Sequence, residues 1–237
     1  MEVKVDALVV RTADYGEADR MLTLFTLQNG KISAAAKGVR KAKARLNFAA
    51  QPFCFAEYVL AQKGERYTVI SASLTDGFYG LRQDIGKFYA AASLAGLCDA
   101  VLQEGIVNEE LFLRAVAALG RMCEGDEAEA LLSFFLKLLE LSGYMLDLSA
   151  CADCGAVLEG KTFFDVAGGC FTCADCARGA GVSESTLNEL KKCAGGEYDP
   201  ALLSQEGKKR ALKLLYTYFS RKTETQVRAV EEYIALL

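Results

Sequence analysis

The chain contains no histidine. This absence removes the side chain that most often serves as a general base and as a metal ligand near neutral pH. Hydrolases that depend on a Ser-His or Cys-His pair are therefore excluded, and so are zinc sites with mixed cysteine and histidine ligands. Any metal ion in this protein must be held by thiolates or carboxylates.

Long apolar runs are also missing. No stretch approaches the ~18 consecutive apolar residues that a membrane-spanning helix needs. The N-terminal residues alternate between apolar and polar types, without the basic start and continuous apolar core of a signal peptide. With 52% hydrophobic and 24% charged residues, the composition is typical of a folded globular protein. The sequence therefore predicts a cytosolic protein.

Motifs for catalysis are scarce as well. The chain has no G-x4-G-K-[ST] phosphate loop and no G-x-G-x-x-G turn that opens a βαβ unit. One acidic cluster, formed by Asp14, Glu17 and Asp19, could hold Mg²⁺ for a nuclease, or it could pair with Arg11 and Arg20. Without a stronger catalytic pattern, the sequence favours a protein that binds rather than an enzyme.

Charge is unevenly distributed along the chain. Residues 1–80 contain 11 Lys and Arg against 8 Asp and Glu, whereas residues 81–237 contain 16 against 23. Residues 37–45, which we call the basic segment, contain five basic residues and no acid: Lys37, Arg40, Lys41, Lys43 and Arg45. Such a segment on a protein of net charge −4 indicates a contact with a phosphate backbone, although a solvated surface turn can have the same composition.

Hydrophobic periodicity divides the chain into two parts. Period-two alternation predicts five short strands before residue 80, at 3–9, 20–27, 31–36, 53–60 and 66–74, with a tight turn at Asn29-Gly30. Five strands with no room for a long helix between them predict a small barrel of the OB-fold type, which commonly binds oligonucleotides. An SH3-like barrel would have a similar pattern. We expect a nucleic-acid-binding domain at residues 1–80.

The remaining residues, 81–237, have helical periodicity. Apolar residues recur at three- and four-residue steps in segments 85–103, 109–123, 127–146, 184–193, 206–220 and 224–236. The third of these segments has the broadest apolar face and is expected to be central to a helical domain. The predicted fold class is therefore α+β, with an N-terminal five-stranded barrel followed by a helical domain.

Cysteine spacing predicts a metal site within the helical part. Cys151-Ala-Asp-Cys154 and Cys173-Ala-Asp-Cys176 are two C-x2-C pairs separated by eighteen residues. This spacing is typical of a structural zinc ion held by four thiolates, with no open coordination position for catalysis. Cys170 forms a C-x2-C pair with Cys173 too, so it could replace Cys176; the repeated tetrapeptide favours Cys173 and Cys176. An iron–sulfur cluster is compatible with the same spacing.

Several strings together resemble the N-terminal signature of the bacterial RecO family of DNA repair proteins. They are Tyr15-Gly-Glu-Ala-Asp-Arg20, Gly30-Lys-Ile-Ser33 and Ala36-Lys-Gly-Val-Arg-Lys41. Later features follow in the order of that family: a C-x2-C-G motif, the Phe163-Phe164 hairpin, a Gly-Gly pair and a second C-x2-C. Three residues separate that Gly-Gly pair from Cys173, where the family usually has two, and the C-terminal helix has only a faint likeness.

The resemblance implies a fold and a function. It implies an OB-fold, a helical domain with a zinc-binding insertion at about 148–180, and no enzymatic turnover. Proteins similar to this one bind single- and double-stranded DNA and anneal complementary strands without ATP. They act with RecR, often with RecF, and with single-strand-binding protein to load RecA onto DNA. The resemblance therefore also implies a cytoplasmic protein that is associated with the nucleoid.

Within this resemblance, the basic segment would contact phosphates. Four aromatic residues, Tyr15, Phe53, Phe55 and Tyr67, could stack on bases, although the pattern favours a core position over a stacking role for each. The alternative hypothesis is a zinc-containing protein-interaction scaffold that does not bind nucleic acid.

Overall fold

The alternating N-terminal segments form a closed five-stranded barrel in the computed structural model, which describes residues 1–237. The strands are β1 (Glu2–Tyr15), β2 (Asp19–Thr26), β3 (Gly30–Ala36), β4 (Phe55–Lys63) and β5 (Arg66–Asp76). Around the barrel they follow the order β1-β2-β3-β5-β4, and β4 pairs with β1 to close it. Only the β3–β5 pair is parallel. The predicted OB-like barrel is confirmed.

Inward-facing side chains fill the barrel. Leu22, Leu24 and Ile32 alternate with more exposed neighbours along β2 and β3 and are almost completely buried. Tyr58 of β4 is fully buried, and its hydroxyl donates a hydrogen bond of 2.7 Å to the carbonyl oxygen of Ala49. Ala49 belongs to a short 3-10 helix, Phe48–Ala50, that follows the basic segment. The segment is therefore anchored to the barrel core at its C-terminal side.

Two helices complete the first compact unit, which comprises Met1–Gly125. These are α1 (Ile85–Val101) and α2 (Glu109–Glu124). The ring of Phe112 in α2 packs edge-on against Phe25 and Phe55 of the barrel, at centroid distances of 5.3 and 5.8 Å. At the β2–β3 turn, Gly30 has a φ of 64° and approaches the backbone of Ile106 so closely that a Cβ would lie 2.1 Å from its oxygen. The domain boundary near residue 80 stays a prediction.

The second compact unit comprises Asp126–Leu237. It contains α3 (Glu127–Leu141), α4 (Glu184–Cys193), α5 (Gln205–Thr223) and α6 (Arg228–Leu236), together with β6 (Thr162–Asp165), β7 (Cys170–Cys173) and β8 (Ala180–Val182). The strands form a small antiparallel sheet in the order β7-β6-β8.

The apolar face predicted for α3 is buried, as expected, and Phe135 packs against Phe219 of α5 at 5.6 Å. The predicted end of this helix at residue 146 is wrong, because α3 ends at Leu141. Gly143 adopts a φ of 81°, and the N–H of Tyr144 bonds back to the carbonyl of Leu139. This is the left-handed glycine cap that commonly terminates helices. None of the six helices has both the length and the apolar character needed to cross a membrane.

Candidate nucleic-acid interface and metal centre

The basic segment lies against the loop that joins β1 to β2. After β3 ends, Gly38 turns the chain with a φ of 67°, and its N–H donates a 2.7 Å hydrogen bond to the Asp19 carboxylate. The N–H of Arg40 bonds to the carbonyl of Ala18 at 2.9 Å. These backbone contacts fix the start of the segment without using its lysine side chains.

The five predicted phosphate-binding residues fall into two groups. Lys37, Lys41, Lys43 and Arg45 are exposed and have no carboxylate partner. The guanidinium of Arg40 instead lies 3.1 Å from the Asp14 carboxylate and donates to the carbonyl of Gly16. Four cations are thus available to a ligand, whereas Arg40 also holds the segment against the β1–β2 loop. Their contact with DNA stays a prediction.

The acidic residues near this loop are engaged in pairing. Asp14 lies between two guanidinium groups, 3.1 Å from Arg20 and 3.1 Å from Arg40. The expected pair with Arg20 is therefore present, but Arg11 pairs with Asp99 of α1 instead, at 3.4 Å. Asp14, Glu17 and Asp19 do not converge on a common point as metal ligands would. Two of these carboxylates, Asp14 and Asp19, position the basic segment.

The four candidate aromatic residues differ in exposure. Tyr15 is 63% exposed, and Phe55 and Tyr67 are half-buried. Phe53 is only 2% exposed and packs edge-on against Phe88 at 5.6 Å, so the stacking role considered for it is wrong.

Four cysteine side chains converge in the second unit. The sulfur atoms of Cys151, Cys154, Cys173 and Cys176 all lie within 4.8 Å of one another, and those of Cys154 and Cys173 are 3.7 Å apart. Four sulfurs around one zinc ion at ~2.3 Å would be separated by about 3.8 Å along each edge of the tetrahedron. The thiols therefore fit a single metal ion of this size. The identity of that ion, and ligation itself, stay predictions.

Cys170 lies outside this cluster. It is three positions before Cys173 on β7, and an odd separation places two residues on opposite faces of a strand. Its sulfur accepts a hydrogen bond of 3.2 Å from the guanidinium of Arg178. Arg178 also pairs with Asp153, between the first two cysteines, and with Asp165 of β6. Sequence reasoning missed Arg178, because a lone arginine beyond the second C-x2-C pair has no distinguishing pattern.

The protonation of the four thiols depends on their neighbours. Backbone N–H groups of Cys173 and Cys154 lower the pKa of Cys151 to about 6, because they stabilise its thiolate. Hydrogen bonding with the thiols of Cys154 and Cys173 raises the pKa of Cys176 to about 12. The N–H of Ala156 favours the thiolate of Cys154, but the adjacent thiols outweigh it and raise its pKa. A divalent cation would supply the positive charge that these crowded sulfurs need to ionise together.

Two family models together match nearly the whole length of the chain. The family model for the N-terminal part of recombination protein O matches residues 1–78, and the model for its C-terminal part matches residues 82–230. The DNA repair protein RecO of Desulforamulus reducens is 38% identical over 175 residues, which cover 73% of this chain and 68% of that protein. The DNA repair protein RecO of Desulfitobacterium hafniense is 34% identical over 228 residues, which cover 92% and 84% respectively.

Proposed function

Since the chain belongs to the RecO family of DNA repair and recombination proteins, we propose that it binds single- and double-stranded DNA through its barrel. The four exposed and unpaired cations of the basic segment, Lys37, Lys41, Lys43 and Arg45, are the observation that supports this proposal. They would contact phosphates, which sets affinity and salt dependence without sequence preference.

The proposed activity is annealing of complementary strands without ATP. A few phosphate contacts hold a strand while leaving it free to slide into register with its complement. The protein would act as a recombination mediator and not as an enzyme. Its proposed partners are RecR and RecF, together with single-strand-binding protein, whose displacement would allow RecA to load. The remainder of the chain, with 16 basic against 23 acidic residues after position 80, would offer a surface for such proteins.

We further propose that one structural zinc ion is held by Cys151, Cys154, Cys173 and Cys176. With four protein ligands, such an ion has no open position for substrate, so it would stabilise the fold instead of catalysing a reaction. It would join the turn around the first cysteine pair to the end of β7 and the turn that follows it.

The basic segment can be tested with the double substitution Lys37→Glu, Lys41→Glu. Both side chains are exposed and unpaired, so the change should leave the barrel folded. Loss of two phosphate contacts should reduce the slope of log affinity against log salt by about 1.4 for single strands, and should slow annealing. Fluorescence anisotropy over a salt series and a fluorescence annealing assay would measure both. Arg40 is left unchanged because it also positions the segment.

A matched control keeps the same change in net charge. Arg121→Glu with Lys213→Glu alters two exposed basic residues outside the segment and should leave the salt slope unchanged. A folded Lys37→Glu, Lys41→Glu protein that anneals strands at the normal rate would contradict the assignment of the basic segment. If the unaltered protein itself fails to bind DNA at low salt, the protein-interaction scaffold becomes the better description.

A further inference from the structure

A hollow of about 260 Å³ lies in the first unit beside the barrel. Its lining includes two side-chain amides, three apolar or aromatic groups and one guanidinium: Asn47, Gln51, Phe48, Leu74, Tyr79 and Arg82. None of these residues belongs to the basic segment or to the metal centre. Their chemistry nevertheless combines what an unpaired nucleobase requires, namely an aromatic face, a cation and hydrogen-bonding groups for the base edge.

The hollow is joined to the basic segment through Asn47. Its side-chain amide donates a 3.1 Å hydrogen bond to the carbonyl of Val39, which lies inside that segment. Gln51 donates in turn to the side-chain oxygen of Asn47 at 2.9 Å. The side-chain oxygen of Gln51 has no protein partner and remains available as an acceptor. A strand whose phosphates contact the segment would therefore have the hollow next to it.

Tyr79 provides an exposed ring that is held in place. Tyr79 is 62% exposed. The ring lies over Gly77, where an added Cβ would be 2.8 Å from a ring carbon, so a side chain at position 77 would displace it. The guanidinium carbon of Arg82 is 5.6 Å from the ring centroid, within the range of a cation–π contact. The ring is thus fixed in position while much of its surface stays open to solvent.

Backbone strain is concentrated at the same place. Phe53 and Phe78 are two of only three non-glycine residues with positive φ, at 65° and 44°. Arg82 donates hydrogen bonds to the carbonyls that precede them, those of Pro52 and Gly77. Left-handed backbone at bulky residues persists only where the surroundings enforce it, and it clusters at sites that hold ligands. One arginine therefore binds both strained segments and faces the exposed tyrosine ring.

We propose that this hollow is a subsite for one unpaired base of single-stranded DNA, with Tyr79 as its stacking platform. The inference rests on the proposed function, because the basic segment has to supply the phosphate contacts. The subsite adds a contact that depends on the base and not on the DNA backbone. The protein should therefore prefer single strands to duplexes, whose bases are already stacked. A peptide side chain is the other chemically reasonable occupant, but the link to four unpaired cations favours a nucleotide.

The test compares a thymidine oligonucleotide with an abasic strand of the same length and charge. Tyr79→Ala should weaken binding of the thymidine strand on the order of tenfold and leave binding of the abasic strand unchanged. Tyr79→Phe keeps the ring and should bind both strands normally. Gly77→Ala, which displaces the ring, should reproduce the loss. Tyr198→Ala, at a tyrosine that is 42% exposed in the second unit, is the matched control and should have no effect.

The outcomes separate this inference from the proposed function. If Lys37→Glu, Lys41→Glu weakens both strands but Tyr79→Ala weakens neither, the base subsite is wrong and the phosphate interface stands; the hollow would then be a candidate protein contact. Equal weakening of both strands by Tyr79→Ala would also overturn the subsite, because a stacking platform cannot act on an abasic strand. Failure of the unaltered protein to bind either strand would overturn both proposals.

Discussion

At the scale of single residues, two cysteines of one short strand have different surroundings. The sulfur of Cys173 lies in the four-thiol cluster, whereas that of Cys170 bonds to Arg178. Cys173→Ser should therefore abolish stoichiometric metal, and the second unit should lose stability. Cys170→Ser should keep one ion per chain and serve as the control. Atomic emission on the purified variants, followed by thermal unfolding, measures both effects; equal loss of metal in the two variants would contradict the ligand set.

The metal affinity should also depend steeply on pH. Neighbouring thiols raise the pKa of Cys154, and they raise that of Cys176 to about 12, so both are protonated near neutral pH without a metal. Cys151, with a pKa of about 6, is already ionised there. Binding between pH 7 and 8 must then release at least two protons, so the affinity should fall at least about a hundredfold for each unit by which the pH is lowered. Competition with a chromophoric chelator at pH 7 and 8 would measure this change, and a pH-independent affinity would count against thiolate ligation.

The roles of some functional residues could be predicted from the sequence, and those of others could not. The four clustered cysteines were predictable, because ligand spacing and a repeated tetrapeptide are local patterns. The sequence could not show which of the five basic residues is paired with a carboxylate. The pairing of Arg40 with Asp14 depends on the approach of two loops. Tyr79 was missed as well, because no periodic pattern surrounds it and the hollow that it lines also includes Asn47, which is distant in sequence.

At the scale of secondary-structure elements, α4 fixes the start of α5 through a buried carboxylate. Glu189 is fully buried; one of its oxygens accepts from the N–H of Ser204 at 2.8 Å, and the other has no partner. Ser204 caps α5 by accepting from the N–H of Gly207. Glu189→Ala would remove the hydrogen bond from the Ser204 N–H to this carboxylate, which should cost about 1.5–3 kcal/mol in the free energy of unfolding.

Glu189→Gln is the matched variant for this contact. It keeps an acceptor for Ser204 and removes a poorly solvated charge, so its unfolding free energy should stay within about 1 kcal/mol of the unaltered protein. Urea denaturation of the two variants measures the difference. If alanine were tolerated as well as glutamine, the contact would have no part in positioning α5.

Elements themselves were largely predictable from periodicity. All five barrel strands and all six helices lie where alternation or three- and four-residue steps placed them, because burial on one face imposes those periods. Their ends were less predictable. The helix expected to reach residue 146 stops at Leu141, since the left-handed Gly143 ends it although the apolar pattern continues.

At the scale of the whole molecule, the first compact unit extends well beyond the barrel. A change of periodicity near residue 80 locates the end of the strands, but it carries no information on which helices pack against them. In the structure α1 and α2 belong with the barrel in Met1–Gly125. Lys31 of β3 donates to the carbonyl of Asp99 in α1 at 2.8 Å, and Phe112 covers two barrel aromatics. The barrel therefore depends on residues that its own sequence pattern does not include.

This dependence predicts how fragments of the chain should behave. A fragment of residues 1–125 retains the contacts of Phe112 with Phe25 and Phe55 and should fold on its own with a cooperative thermal transition. A fragment of residues 1–80 exposes those rings and leaves Lys31 without Asp99; uncovering two phenylalanines alone should cost about 3 kcal/mol or more. For a barrel of this size, that is a large share of a typical stability of 5–15 kcal/mol, so the shorter fragment should aggregate or lack a cooperative transition. Circular dichroism melting and two-dimensional amide NMR spectra of both fragments would test this, and equal stability of the two would show that α1 and α2 are dispensable to the barrel.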